Sequence, residues 1–271
     1  MDSSIVVEWV HILLRWFHIF TGILWIGSTW YFTWLDFRVR EAAEKRGDGA
    51  PVWMVHSGGF YRVEKLTAPD VNPGELHWFK WEALFTLISG LLLLGLVYYM
   101  GGALLDSDVS NLTEGKAIAL SLGVLVGGWV VYDLFWLSPL GKNEAVGAVL
   151  GYAAVMGVVW VLLHQFAPRA AYIHVGVLFG TIMTTNVWMR ILPAQRQLVA
   201  ALKDKRPPDQ TLAARAKQRS KHNTYLVVPL VFTMISNHFP TQTYASDHAF
   251  AVIGVLILGG WIVAGFVRGK V

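Results

Sequence analysis

The sequence predicts an all-α membrane protein, a polytopic bundle of about seven transmembrane helices forming one domain over residues 1–271. Three observations carry that expectation. Of 271 residues, 55% are apolar and 15% charged, whereas a soluble domain carries about 25% charged residues. Seven stretches reach or approach the roughly 20 apolar residues that a helix needs to cross the hydrocarbon core. No segment alternates at period two for long enough to suggest a barrel strand. The chain also has 13 Trp and no Cys. Without thiols, disulfide scaffolds, thiolate zinc sites, cysteine-bound iron–sulfur clusters and covalently attached c-type haem are excluded.

The first stretch, 5–35, opens with Asp2 and Glu8 instead of a basic segment, and no small-residue cleavage site follows. It therefore reads as a retained helix and not as a cleavable signal peptide. The charged run from Arg38 to Arg46 reads as a solvated extension of the same helix. The remaining stretches are 79–100, 116–137, 145–167, 170–192, 223–239 and 248–267. Pro229 interrupts the sixth, which a bundle tolerates because neighbouring helices satisfy the freed carbonyl. Two connections exceed a simple turn. Residues 36–78 contain the dense run His56-Ser57-Gly58-Gly59-Phe60-Tyr61-Arg62, then Pro69 and Pro73, and the aromatic and glycine content of 53–62 argues for order. Connections of that length are usually functional or disordered. Residues 193–221 read as two short amphipathic helices split by Pro207-Pro208 and lying on the membrane surface.

Lys and Arg in the loops set the orientation. The loop after the first stretch holds Arg38, Arg40, Lys45, Arg46, Arg62 and Lys65, and the loop after the fifth holds eight more, from Arg196 to Lys221. The opposite loops offer little beyond Arg169, with Asp106, Asp108 and Glu114 among them. The N-terminus is therefore expected outside, and the C-terminus, with Arg268 and Lys270, in the cytoplasm. The net charge of +4 is then the positive-inside signal and implies no nucleic acid.

This topology divides the nine histidines. His56, His77 and His222 fall at the cytoplasmic face. His11, His18, His164, His174, His238 and His248 all fall in the outer half. On the first helix, His11, Arg15, His18 and Gly22 share one face at 100° per residue. A cation inside an apolar span costs about 2.5–3.5 kcal/mol even on the insertion scale, so Arg15 should face a partner. A ligand His, a cation one turn away and a Gly suit b-type haem, with Arg15 pairing a propionate. One histidine near a helix end is commonly just an interfacial hydrogen-bonding residue. Six in one half, beside an Arg, point to iron or another metal on at least two of them, with His18, His174, His238 and His248 as ligands and His11 in support. Copper or zinc would use the same imidazoles.

The cytoplasmic half carries a second polar set. Asp133 interrupts the aromatic run Trp129 to Trp136, Asn186 and Arg190 lie at i, i+4 on the fifth helix, and His222, Asn223 and Tyr225 begin the sixth. His77 and Trp78 precede Lys80 and Glu82 at the start of the second. An intramembrane carboxylate is either one half of a packing ion pair or a proton carrier. Trp and Tyr at helix ends are by default interfacial anchors, and lysine or arginine there can snorkel to the headgroups.

At these residues the chain resembles the N-terminal transmembrane domain of the membrane-bound, cytochrome-c-linked bacterial urate oxidases, or urate hydroxylases. The segments that carry the resemblance are His18-x-x-x-Gly22-Ile23-x-Trp25-Ile26-Gly27, Gly59-Phe60-Tyr61, Leu76-His77-Trp78-Phe79-Lys80-Trp81-Glu82, Tyr132-Asp133, Ser138-Pro139-Leu140 and His174-Val175-Gly176. They continue through Asn186-Val187-Trp188-Met189-Arg190-Ile191, Ser220-Lys221-His222-Asn223-Thr224-Tyr225 and Ser236-Asn237-His238-Phe239-Pro240, and so cover nearly the whole chain.

The resemblance implies oxidation of urate to 5-hydroxyisourate in a bacterial inner membrane, with haem b, one or two per chain, relaying electrons to a cytochrome c. Family members typically continue into a cytochrome c domain, whereas this chain has no Cys and hence no haem c. Either a separate carrier takes the electrons, or the chain is one half of a longer protein, or the membrane fold serves as a subunit of another redox complex; the partner expected is a separate cytochrome c or redox partner subunit. Urate is a planar anion, best stacked on an aromatic ring and clamped by Arg and amide donors. His77, Trp78, Asn186, Arg190, Asn223 and Tyr225 are the expected binding residues, with Asp133 and His222 as catalytic groups. Three alternatives stay open: a non-catalytic haem-binding subunit of a membrane electron-transfer complex, a copper-handling or transport protein, and a purely structural subunit.

Overall fold

The structure, a computed structural model, describes residues 3–47, 49–66 and 76–270. Asp2, Pro69 and Pro73 lie outside the described residues. Helix α1 runs from Ser3 to Arg46 without a break, so the charged run Arg38 to Arg46 does continue the first helix. A hairpin of β1 (Val52–His56) and β2 (Gly59–Val63) follows. Its register pairs His56 with Gly59, leaving Ser57 and Gly58 as a two-residue turn with φ of 50° and 75°. Positive φ at both positions is the turn whose twist matches paired strands, which is why the Gly-rich run 56–59 is ordered.

Helix α2 (Trp81–Leu93) widens into a π turn over Leu94–Tyr99. Helices α3 (Glu114–Leu137) and α4 (Glu144–Gln165) come next. Asn143 caps α4 by accepting from the backbone N–H groups of Ala145 and Val146, at 3.1 and 3.2 Å. Helix α5 (Pro168–Asn186) passes through a second π turn, Val187–Ile191, into α6 (Leu192–Lys203). Pro193 has no N–H for the carbonyl four residues back, and the wider turn absorbs that break. Helix α7 spans Gln210–Ile235 and α8 spans Ala249–Lys270. The Asp209 carboxylate caps α7, and its hydrogen bond from the Thr211 hydroxyl holds it below the usual carboxylate range.

Six helices are long and apolar enough to cross a membrane, starting at Ile5, Trp81, Glu114, Glu144, Pro168 and Ala249. These are counted among the described residues, and the expected stretch 223–239 is the one without a helix that meets this measure. Helix α7 is not among them because its first half carries Arg215, Lys217, Arg219 and Lys221. Its second half nevertheless lies along α5 in antiparallel register. Asn223 Nδ2 donates to the Met183 carbonyl at 3.0 Å, and Gly176 abuts Thr233 so closely that a Cβ there would stand 2.1 Å from the Thr233 hydroxyl. The segment 193–221 also differs from expectation. Its two helices flank Pro207-Pro208, but α6 prolongs α5 and the second is the charged start of α7.

Helix α5 is the axis of the fold. Most of it is buried, from Ala170 to Asn186, between α3, α4 and α7. Glycines let these helices approach, since a Cβ on Gly128 of α3 would meet Leu178 at 2.6 Å, as in close-packed membrane helices. Helix α1 is peripheral and packs mainly along α2, through Phe17 on Phe85, and on the residues just before it, through Phe32 on Phe79.

Candidate functional site

Three helices converge at the end of the bundle nearer the hairpin. From α3 come Tyr132 and Asp133, from α5 and its π turn come Asn186 and Arg190, and from α7 come Arg219, His222 and Asn223. The last three fall at i, i+3 and i+4 and so share one helix face.

The Asp133 carboxylate, on a residue only 4% exposed, is held by two guanidinium groups. Its Oδ1 accepts from Arg190 Nε at 2.9 Å and from Arg219 Nη2 at 3.0 Å, while its Oδ2 accepts from Arg190 Nη2. Both oxygens are thus engaged, and the three side chains sum to one positive charge. Arg219 also lies over the Tyr132 ring, 4.9 Å from its centroid.

A second string of bonds starts from that ring. Asn186 Nδ2 donates to the Tyr132 hydroxyl and to Asn223 Oδ1, both at 3.0 Å. Having accepted from Asn186, the phenol donates to His222 Nδ1 at 2.7 Å. That fixes the tautomer with the proton on Nε2, and the ring rests against Trp136 at 4.2 Å between centroids. Two buried atoms of this network find no partner among the described residues: Asn186 Oδ1 and Arg219 Nη1. Unpartnered buried polar atoms are uncommon and costly.

Tyr132 and His222 also line a cavity of about 940 Å³ between α3, α4, α5, α7 and α8. Tyr225 lines the same cavity but turns toward Gly265 of α8. His77 and Trp78 are not brought into the network. His77 is exposed and sits edge-on to Phe79 at 4.5 Å, and Trp78 packs with Val187 and Leu192. Sequence reasoning missed Arg219 and Tyr132. Arg219 was counted only as a loop charge, although its i, i+3, i+4 spacing to His222 and Asn223 was a usable signal.

The six histidines of the opposite end are not gathered. His18 donates from Nδ1 to the Thr86 carbonyl at 3.1 Å and lies 3.0 Å from Ser89 Oγ, against Gly90. His174 is fully buried, donates from Nδ1 to the Ala170 carbonyl at 2.7 Å and accepts at Nε2 from Ser121 at 2.9 Å. Tyr99 in turn donates to Ser121 at 2.6 Å. His164 is exposed and bonds Trp160 of its own helix. His238, His248 and Arg15 are exposed, and His11 is half-buried.

Among the described residues no three His, Asp or Glu side chains form a group able to hold a metal. This set does not fit a bis-histidine haem. His174 has no nitrogen left for iron, and Phe166 and Tyr98 pack on its ring. The adjoining cavity, lined by Tyr98 and Tyr99, is about 20 Å³, room for a water molecule.

The family model described as urate oxidase N-terminal matches residues 4–270. The chain belongs to this family. No curated protein and no solved structure matches it. As a member of the urate oxidase N-terminal family, the chain has both strings of bonds inside the matched region.

Proposed function

We propose that the protein is a membrane oxidoreductase that binds urate, or a closely related planar anion, between Arg219, Asn186, Tyr132 and His222. The observation that carries this reading is the pair of unpartnered buried atoms, Arg219 Nη1 and Asn186 Oδ1. A urate ring offers carbonyl oxygens to the guanidinium and an N–H to the amide oxygen, so one ligand would satisfy both. The single positive charge of the Asp133–Arg190–Arg219 group matches a monoanion, and a desolvated guanidinium binds such a partner through strong, directional bonds.

Asp133, with both oxygens occupied, anchors the two arginines in this reading and is not the base. His222 takes that part through Tyr132. A water attacking the oxidised ring gives its proton to the phenol oxygen as the phenol passes its own to His222 Nδ1. The chain is read as N-terminus outside, with α7 as a seventh crossing supported by α5. A cytochrome c, on a separate subunit or domain, is the final acceptor that the sequence resemblance suggests, and no step runs through haem.

Urate titration into the purified protein tests the reading, with Arg219→Gln and Asn186→Ala as variants. Each should weaken binding by at least about tenfold, the loss of ~1.4 kcal/mol. Binding unchanged in both, with helicity retained, would remove the site. A visible spectrum, oxidised and dithionite-reduced, reads haem b directly.

A further inference from the structure

The cavity beside His222 is far larger than urate needs, and most of its wall is apolar. Volumes of about 300–1,000 Å³ hold drug-sized ligands, and this one is about 940 Å³. Its lining residues Val131 and Ile262, both on membrane-crossing helices, are 64% and 73% exposed. The cavity therefore opens sideways, toward lipid. Gly127 of α3 and Gly151 of α4 line it, and a Cβ on either would meet nothing within 4 Å. The smooth glycine walls face empty space and not a packed neighbour.

The hairpin-side end is chemically different. Tyr132 and His222 are there, and the Nε2–H of His222 has no partner among the described residues. Trp261 of α8, also in the lining, has a buried Nε1–H without a partner. That indole N–H shows no surface to the cavity, so the His222 Nε2–H is the donor at the lateral apolar mouth, and it calls for a ligand with a carbonyl acceptor on an apolar body.

We propose that this cavity binds a membrane quinone, which accepts the two electrons released at the adjoining network. In balance, urate and one water give 5-hydroxyisourate, two electrons and two protons. The two quinone carbonyls take up those electrons and protons and leave as the quinol, sideways into the bilayer. His222 touches both ends of this exchange, since its Nδ1 side receives from Tyr132 and its Nε2 side faces the quinone oxygen. The binding site stands on the cavity alone, and the electron transfer rests on the urate reading.

The test uses the full chain in detergent micelles, with decylubiquinone as the probe. Binding is measured by equilibrium dialysis without urate, and reduction is followed by the loss of quinone absorbance after urate is added. Gly127→Leu and Gly151→Leu project into open space, so they should fold and yet bind the probe about tenfold more weakly, equivalent to ~1.4 kcal/mol. Their urate affinity should equal that of the unaltered protein. Urate-dependent reduction that falls in step with probe binding would support the proposal.

Equal probe binding by the unaltered protein and both glycine variants would overturn it. So would bound phospholipid that decylubiquinone does not displace, or intact probe and urate binding without quinone reduction. If the probe binds through the glycine-lined cavity while urate does not bind, the quinone site stands and the urate reading falls.

Discussion

Replacing Asp133 with Asn tests the physical core of the candidate site. The two arginines that share this carboxylate differ in setting, since the Arg219 side chain is 3% exposed and that of Arg190 is 38% exposed. Arg190→Gln leaves Asp133 paired with Arg219 and removes only a half-exposed ion pair, worth about 1 kcal/mol or less. Asp133→Asn leaves Arg219 as a buried cation without its counter-charge, and breaking a buried pair from one side costs about 3–5 kcal/mol. Reversible unfolding in mixed micelles should separate the two variants by at least ~2 kcal/mol. Replacing the two buried members, with Asp133→Leu and Arg219→Met together, should restore much of the loss, because the one ion left, Arg190, is 38% exposed and reaches solvent. Equal costs for Asp133→Asn and Arg190→Gln would refute the reasoning, as would a double variant less stable than Asp133→Asn.

Other predictions follow from the packing and the caps. Gly147→Ala should cost about 1–3 kcal/mol, because the new Cβ would stand 2.3 Å from the Trp136 ring; it should also disturb His222, which rests on that ring, and tryptophan fluorescence during unfolding reads both. Asn143→Ala should cost about 1 kcal/mol by uncapping α4, measured as the midpoint shift in the same titration. Ser121→Ala leaves the fully buried His174 Nε2 without a donor, a loss of about 1–3 kcal/mol, and the double variant with His174→Phe should recover part of it. For α7, the lowered pKa of Asp209 means that its cap contributes fully above the ordinary Asp value and fades as pH falls through the folded value. Amide exchange at Thr211 should accelerate over that acid range, and a flat pH profile would exclude the cap.

The helices were legible because hydropathy over 18 or more residues is a long signal, and α2 to α5 and α8 begin within two residues of their expected starts. Of α7 only the apolar half stood out as a crossing, within 223–239, because its charged half depends on Asp133 and α5 for its burial, a tertiary fact that composition does not carry. The continuation of α5 through Pro193 into α6 was hidden for a related reason. A proline that would end an isolated helix is absorbed by one extra residue in the turn.

At the site, Asp133, Asn186, Arg190, His222 and Asn223 were visible as polar residues that apolar spans should not contain. Their pairing was not, since Arg219 looks like any loop cation until α7 is placed. The histidine pattern carried position along the helices but not rotation. Six imidazoles in one half suggested a shared ligand, yet side-chain direction, which depends on helix rotation, leaves His164, His238 and His248 on the surface and His174 fully committed.

The burial of α5 has a consequence for how the chain enters a membrane. Its interior face carries Thr184 and Asn186 as well as apolar groups, a poor match for lipid on its own. Its antiparallel neighbour α7 is too charged to settle there unaided. Each supplies what the other lacks, so the two are expected to be inserted as a coupled pair by the translocon. A ribosome stalled before α7 emerges would leave the Asn186 amide with Tyr132 of α3 but without Asn223, a half-partnered form that membrane quality control should recognise and degrade.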